Sequence, residues 1–216
     1  MKNLLLKPVM REAFKNGDKT HTRRLFGLDE INEKPDDWEF PLELDCQPGL
    51  WTIRNYKTGA VAAFKPKYHV GEVVFVGEAY CYESDSFAIK PRIRYKAGGI
   101  KEAKPEDIPI GVTIYNYLSE NYPDCIKWRS PSSMPAWAAR THARITSVGC
   151  GRLWDMTEED AVKEGFGGAL AITSGGMIGM GTALYWFAKT WDQINPKYSW
   201  AGNYWVFDYG IERVEL

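Results

Sequence analysis

Gly17-Asp18-Lys19-Thr20-His21-Thr22-Arg23-Arg24 packs a lysine, two threonines and two arginines into eight residues. That concentration of amine, hydroxyl and guanidinium groups exceeds what a surface connector needs. Pro8 to Asn16 precede it and read as a short helix, with Pro in the first turn and Val9, Met10, Ala13 and Phe14 at helical spacing. Gly17 ends that helix, because a residue without Cβ enters the left-handed region cheaply. Thr20 and Thr22 then suggest a strand, whose alternation sends Lys19, His21 and Arg23 to one face and Thr20, Thr22 and Arg24 to the other. A site shared by Lys19 and Thr22 therefore requires a twist or bulge near His21. Taken alone, the segment reads as ordinary solvated strand chemistry.

Two other stretches carry groups of the same kind. Thr157-Glu158-Glu159-Asp160 opens a helix by a capping-box pattern, and this helix runs through Glu164 to stop at Gly165. Glu164 breaks a local rule, since a carboxylate in the last turn meets the negative end of the helix dipole. A solvent-facing glutamate of good helix propensity is the alternative. Trp128 to Arg140 holds two prolines, which interrupt regular structure, together with Trp128, Arg129, Trp137 and Arg140. Such a loop lines a ligand site or is capped onto the fold by its tryptophans, and both readings stay open.

The elements that would position these groups follow from pattern. Trp51 to Tyr56 and Ala60 to Phe64 read as a hairpin around Gly59, and Gly71 to Tyr80 as one β-branched strand. Ile93 to Tyr95 is a further strand closed by Gly98-Gly99, and 101–109 reads as a solvated excursion. Gly111 to Tyr122 is ambiguous between strand and helix. Thr141 to Val148 reads as a strand and Ala183 to Asn195 as an amphipathic helix with Leu184, Phe187, Ala188, Trp191 and Ile194 on one stripe. Asn203 to Val214 alternates Trp205, Phe207, Tyr209 and Ile211 against polar and small residues, which predicts a long strand with its aromatic face inward. The turn-rich acidic stretch 26–50 and the glycine-rich stretch 167–181 read as insertions, the second lacking the ending of a phosphate loop.

Composition bounds the function classes. A chain of 216 residues with 44% hydrophobic content can bury a core without a metal or disulfide staple. Its formal net charge of -1 supplies no global positive field, so long-duplex nucleic acid is not an expected partner. Cys46, Cys81, Cys125 and Cys150 are scattered, as are His21, His69 and His142, so no metal and no other cofactor is expected. With no apolar run of membrane-spanning length and no cleavable signal, the expectation is a cytoplasmic protein without a membrane partner.

The order of these elements resembles the ASCH family of PUA-like barrels. The carrying residues are Gly17, Lys19, Thr20, Thr22 and Arg24, then Gly71-Glu72 through Glu78, then Thr157 to Gly165. The Trp128 to Arg140 loop and the ending from Trp191-Asp192-Gln193-Ile194-Asn195 to Trp205-Val206 are similar to longer ASCH proteins of phages and prophages. The resemblance implies an α+β fold, a mixed PUA-like β-barrel with short flanking helices, forming one domain over 1–216 with insertions at about 27–50, 99–140 and 167–181. Some short ASCH proteins remove the acetyl group from N4-acetylcytidine. Carried over residue by residue, that implies Lys19, Thr22 and Glu164 as catalytic groups. Arg24, Thr20, Glu78, Trp128, Arg129, Trp137 and Arg140 would then bind a nucleoside, nucleotide or single-stranded RNA. Lys19 would act as base or nucleophile, and Thr22 would attack or donate to the oxyanion. The alternative implied by the same family is a non-catalytic binder of RNA or a modified nucleotide.

Overall fold

A computed structural model describes residues 1–40, 50–84, 91–108, 115–116, 127–166 and 182–216. The stretch 167–181, most of 111–122, and Cys46 and Cys125 lie outside them. The chain is α+β. In order it forms β1 (Asn3–Leu4), α1 (Pro8–Asn16), β2 (His21–Arg24), β3 (Trp38–Glu39), β4 (Trp51–Asn55), β5 (Val61–Phe64), β6 (Val73–Val76) and β7 (Tyr80–Ser84). There follow β8 (Pro91–Tyr95), β9 (Ile100–Glu102), β10 (Tyr115–Asn116), β11 (His142–Arg152), α2 (Glu158–Lys163), α3 (Thr182–Ile194) and β12 (Trp205–Val214). These elements fall into two compact units, one of Met1–Lys7, Val73–Ala143 and Val214–Leu216, the other of Pro8–Glu72 and Arg144–Arg213.

The first unit pairs β1 parallel to β6 and builds a four-stranded sheet in the order β10-β7-β8-β9. The expected single strand from Gly71 to Tyr80 is broken at Gly77. A Cβ there would lie 2.5 Å from the Pro131 carbonyl oxygen and 2.8 Å from Asn3 Oδ1, so only a glycine fits where the chain leaves β6. Lys101, expected in a solvated excursion, sits instead in β9, and its amine bonds the carbonyls of Trp137 and Ala139. One face of β7 and β8 sends Tyr80, Tyr82, Ile93 and Tyr95 into a core with Phe75, Met134, Ala138 and Ala139. The Trp128 to Arg140 loop forms two 3-10 turns, Pro131–Ser133 and Ala136–Ala138, and the hydroxyls of Tyr80 and Tyr95 donate to its carbonyls at Ser133 and Ala138.

In the second unit β12 lies between β11 and β2, and β3, β4 and β5 form a separate antiparallel sheet. The hairpin turn between β4 and β5 is set by Asn55, whose side-chain oxygen accepts from the backbone of Lys57 and Thr58. The alternation expected for β12 holds for Trp205, Phe207, Tyr209 and Ile211, all buried. Its other face is not solvated at the start, because Val206 packs in a second core with Phe187 and Trp191 of α3 and Leu153 and Ala161. Two expectations need correction. Val9 is 73% exposed and Arg11 takes the buried place on α1. The stretch 26–40 is not wholly an insertion outside the core: Leu28 and Ile31 are buried, and the Asn32 amide both donates to and accepts from the Trp205 backbone. Its turns and prolines hid this, since composition reports irregular backbone and not burial.

Candidate functional site

Lys19 reaches the interior of the second unit by way of two glycines. At Gly17 (φ 88°) the chain leaves α1, and the amides of Asp18 and Lys19 fold back onto the Ala13 carbonyl. Lys19 and Glu164 then form an isolated antiparallel bridge, with the Thr20 amide donating to the Lys163 carbonyl at 2.8 Å. Gly165 (φ 101°) permits that approach, since a Cβ there would lie 3.2 Å from Lys19 Cβ and 3.1 Å from Ala13 Cβ. On the carboxylate side, the capping box of Thr157 and Asp160 starts α2 as expected, and Glu164 is its C-cap residue.

The Lys19 amine donates to Glu164 Oε2 at 2.6 Å and to the Glu164 backbone carbonyl at 2.8 Å. Lys19 thus supplies the cation that the carbonyl end of α2 favours and neutralises the carboxylate that broke the rule. The pair is enclosed, with side-chain exposures of 0% and 3%. Burial pulls the Lys19 amine below its ordinary value; the Glu164 charge and hydrogen bond oppose this, and Arg24 and Arg23 reinforce it. Burial likewise lowers Arg24, against the opposing influence of Tyr68, Glu164 and Tyr209.

Arg23 joins three carboxylates. Its Nη1 donates to Glu164 Oε1 at 3.3 Å and lies 3.9 Å from Asp208 Oδ1, while Nη2 stands 3.5 Å from Asp160 Oδ2. The register of β2 against β12 sets this, placing Arg23 opposite Asp208 and Thr22 opposite Tyr209. Asp208 Oδ1 is buried without a hydrogen-bond partner among the described residues. Burial raises the Asp208 carboxyl, aided by Glu164 and Asp160 and resisted by Arg23 and His21. For Asp160 burial also works upward, but the Thr157 amide, Arg23, the Thr157 hydroxyl and Lys163 outweigh it and hold the carboxyl below its ordinary value.

Thr22, Arg23, Arg24 and Glu164 line one pocket of about 20 Å³, together with Met10 of α1 and Phe187, Trp191, Ile194 and Asn195 of α3. Lys19 is not among the lining residues; its amine lies behind Glu164. Glu158 fixes α3 relative to α2, accepting from the backbone amides of Ala183 and Leu184. Of the three expected catalytic groups, Thr22 and Glu164 share the pocket with Arg24, and Lys19 is joined to it only through Glu164. Thr20 is exposed, its hydroxyl 3.2 Å from His21 Nδ1. Arg23, Asp208 and the α3 residues were missed. Alternation had put Arg23 on the face of Lys19, and that was the available signal.

The remaining expected binding residues belong to the first unit. Glu78 is wholly buried and accepts from Arg140 Nε at 2.9 Å and Nη2 at 2.8 Å, while Arg140 Nη1 donates to the Gly98 carbonyl. The Arg140 guanidinium also stacks 4.1 Å from the Tyr95 ring centre, and that of Arg129 lies 5.4 Å from the Tyr82 ring centre. Trp128 and Trp137 are half-buried, Trp137 against the core of that unit. No group of three His, Cys, Asp or Glu suited to a metal occurs among the described residues, and no described helix is long and apolar enough to cross a membrane. Comparison of the chain with protein-family models, curated proteins and solved structures returned no match.

Proposed function

We propose that the chain is an ASCH-type, PUA-like protein that hydrolyses the acylamino group of an N4-acylated cytosine nucleoside or nucleotide. The observation that carries this reading is the Lys19 amine held 2.6 Å from Glu164 Oε2, beside a pocket that Thr22, Arg23, Arg24 and Glu164 line. Amide hydrolysis needs a proton acceptor for the attacking oxygen, a donor toward the oxyanion and a proton for the leaving amine. Glu164 fits the first and third tasks, taking a proton from the attacking hydroxyl and returning it to the departing exocyclic nitrogen. Lys19 acts through Glu164 rather than on substrate, because its side chain is sealed from the pocket. The attacking oxygen belongs to Thr22 or to a water, and Arg23 or Arg24 faces the developing oxyanion. If Thr22 attacks, an ester to its hydroxyl forms as the amine leaves, and water then releases the carboxylic acid.

The test is incubation with N4-acetylcytidine while cytidine and acetate are followed. The reading predicts release of both in equal amounts, and its loss in Glu164→Gln. Absence of release from the wild-type protein with acetyl, propionyl and benzoyl substrates would overturn it.

A further inference from the structure

The pocket has two chemically different walls. Thr22, Arg23, Arg24 and Glu164 make a polar one; Met10, Phe187, Trp191 and Ile194 make an apolar one, to which Asn195 adds an amide that donates to the Trp191 carbonyl. Its free volume of about 20 Å³ accommodates one group the size of a water or a methyl. A group that satisfies both walls at once is small and amphipathic, with a polar atom on one side and an alkyl stub on the other. We infer that this pocket is an acyl subsite, taking the terminal methyl of a short-chain amide against α3, while its carbonyl sits at the mouth toward Thr22 and the arginines and the rest of the substrate stays outside. The inference rests on the proposed amide hydrolysis and adds to it which part of the substrate enters and what limits its length.

The limit comes from α3. Phe187 and Trp191 are 2% and 4% exposed, their rings stand 5.8 Å apart, and Trp191 Nε1 is tied to the Tyr198 carbonyl at 2.7 Å. Walls packed into a core do not yield to an added methylene. Ile194, at the end of the same helix, is only half-buried. It is therefore the wall residue that can be changed with least damage to the core, and its side chain sets how long an acyl chain is accepted.

The experiment compares wild type, Ile194→Ala and Ile194→Phe on N4-acetyl-, N4-propionyl- and N4-butyrylcytidine, with folding checked by circular dichroism. In parallel, binding of acetate and butyrate to the same proteins is followed by ligand-observed NMR. A methylene too many in such a site costs roughly 10-fold or more in kcat/KM. Wild type should prefer acetyl over butyryl by at least that factor, Ile194→Ala should raise the butyryl-to-acetyl ratio about 10-fold, and Ile194→Phe should depress every acyl substrate. Hydrolysis with an unchanged ratio in folded Ile194→Ala would overturn the subsite while leaving the hydrolase reading intact. If no amide is cleaved, the hydrolase reading fails, and the acids decide the subsite. A preference for acetate that Ile194→Ala shifts toward butyrate upholds it, and no binding or no shift overturns it.

Discussion

Both compact units bury carboxylates against cations, and Glu78 of the first and Glu164 of the second are held in different ways. Glu78 meets the planar fork of Arg140, two nitrogens on two oxygens at 2.9 and 2.8 Å, with the third nitrogen on a backbone carbonyl and the guanidinium 4.1 Å from the Tyr95 ring centre. That two-point arrangement is directional and fixes one geometry. Glu164 meets the single point charge of Lys19 at one oxygen and a looser 3.3 Å contact from Arg23 at the other, and it borders a pocket. Arg23 is itself divided among Glu164, Asp160 and Asp208. A saturated fork holds structure, whereas a lysine with a lowered proton affinity beside an incompletely tied carboxylate can exchange a proton. The two pairs thus differ in how fully their charges are tied, and only the second borders the pocket that the proposed hydrolysis would use.

The comparison breaks first at the cations. Lys19→Ala leaves Glu164 buried with half its compensation and should cost about 3–5 kcal/mol together with all turnover. Trp205→Ala, which removes a buried ring from the same unit, should cost a similar ~3–5 kcal/mol yet leave the native fraction active, so urea denaturation paired with activity separates packing from chemistry. Arg140→Ala should cost about 3 kcal/mol, since Arg140 is partly exposed but Glu78 is not, with kcat per folded molecule unchanged. Loss of turnover there at full folding would give Glu78 a chemical part and erase the distinction. Thr157→Ala removes the cap of the helix that presents Glu164 and should cost ~1 kcal/mol by thermal melting.

Asp208→Asn has the smallest effect, and its size depends on pH. Burial raises the folded carboxyl above its unfolded value, so between the two values the folded state holds the extra proton and stability falls as pH rises. The asparagine variant lacks that loss. It should match wild type in strong acid and gain on it as pH climbs through and beyond the ordinary carboxylate range, as denaturation midpoints across that span would show. A relative loss instead would mean that Arg23 needs the Asp208 charge more than burial opposes it.

Much of this contrast was legible before any coordinates. Glu164 stood out because an acidic residue at a carbonyl helix end lacks a local reason, and the structure supplies a distant one in the Lys19 amine. The Gly17 turn, the capping box at Thr157 and the alternation of β12 are local signals, and they appear as local structure. Alternation puts Arg23 on the face of Lys19, whereas the motif singles out neighbouring Arg24. What sequence could not carry was destination. The apolar stripe of α3 was plain, yet nothing in its spacing tells that Phe187, Trp191 and Ile194 wall a pocket opposite Thr22. Gly77 and Asn32 likewise owe their roles to the Pro131 carbonyl and the Trp205 backbone, contacts between residues far apart in the chain.

The most direct measurement replaces the Lys19–Glu164 pair by an apolar one, Lys19→Met with Glu164→Leu, and records both urea stability and cytidine release from N4-acetylcytidine. Exchanging both charges for packed hydrocarbon should leave stability close to wild type. The account predicts a folded protein in which the release seen for wild type is abolished. Release at the wild-type rate by that variant would contradict it, because the pair would then hold the fold and nothing more.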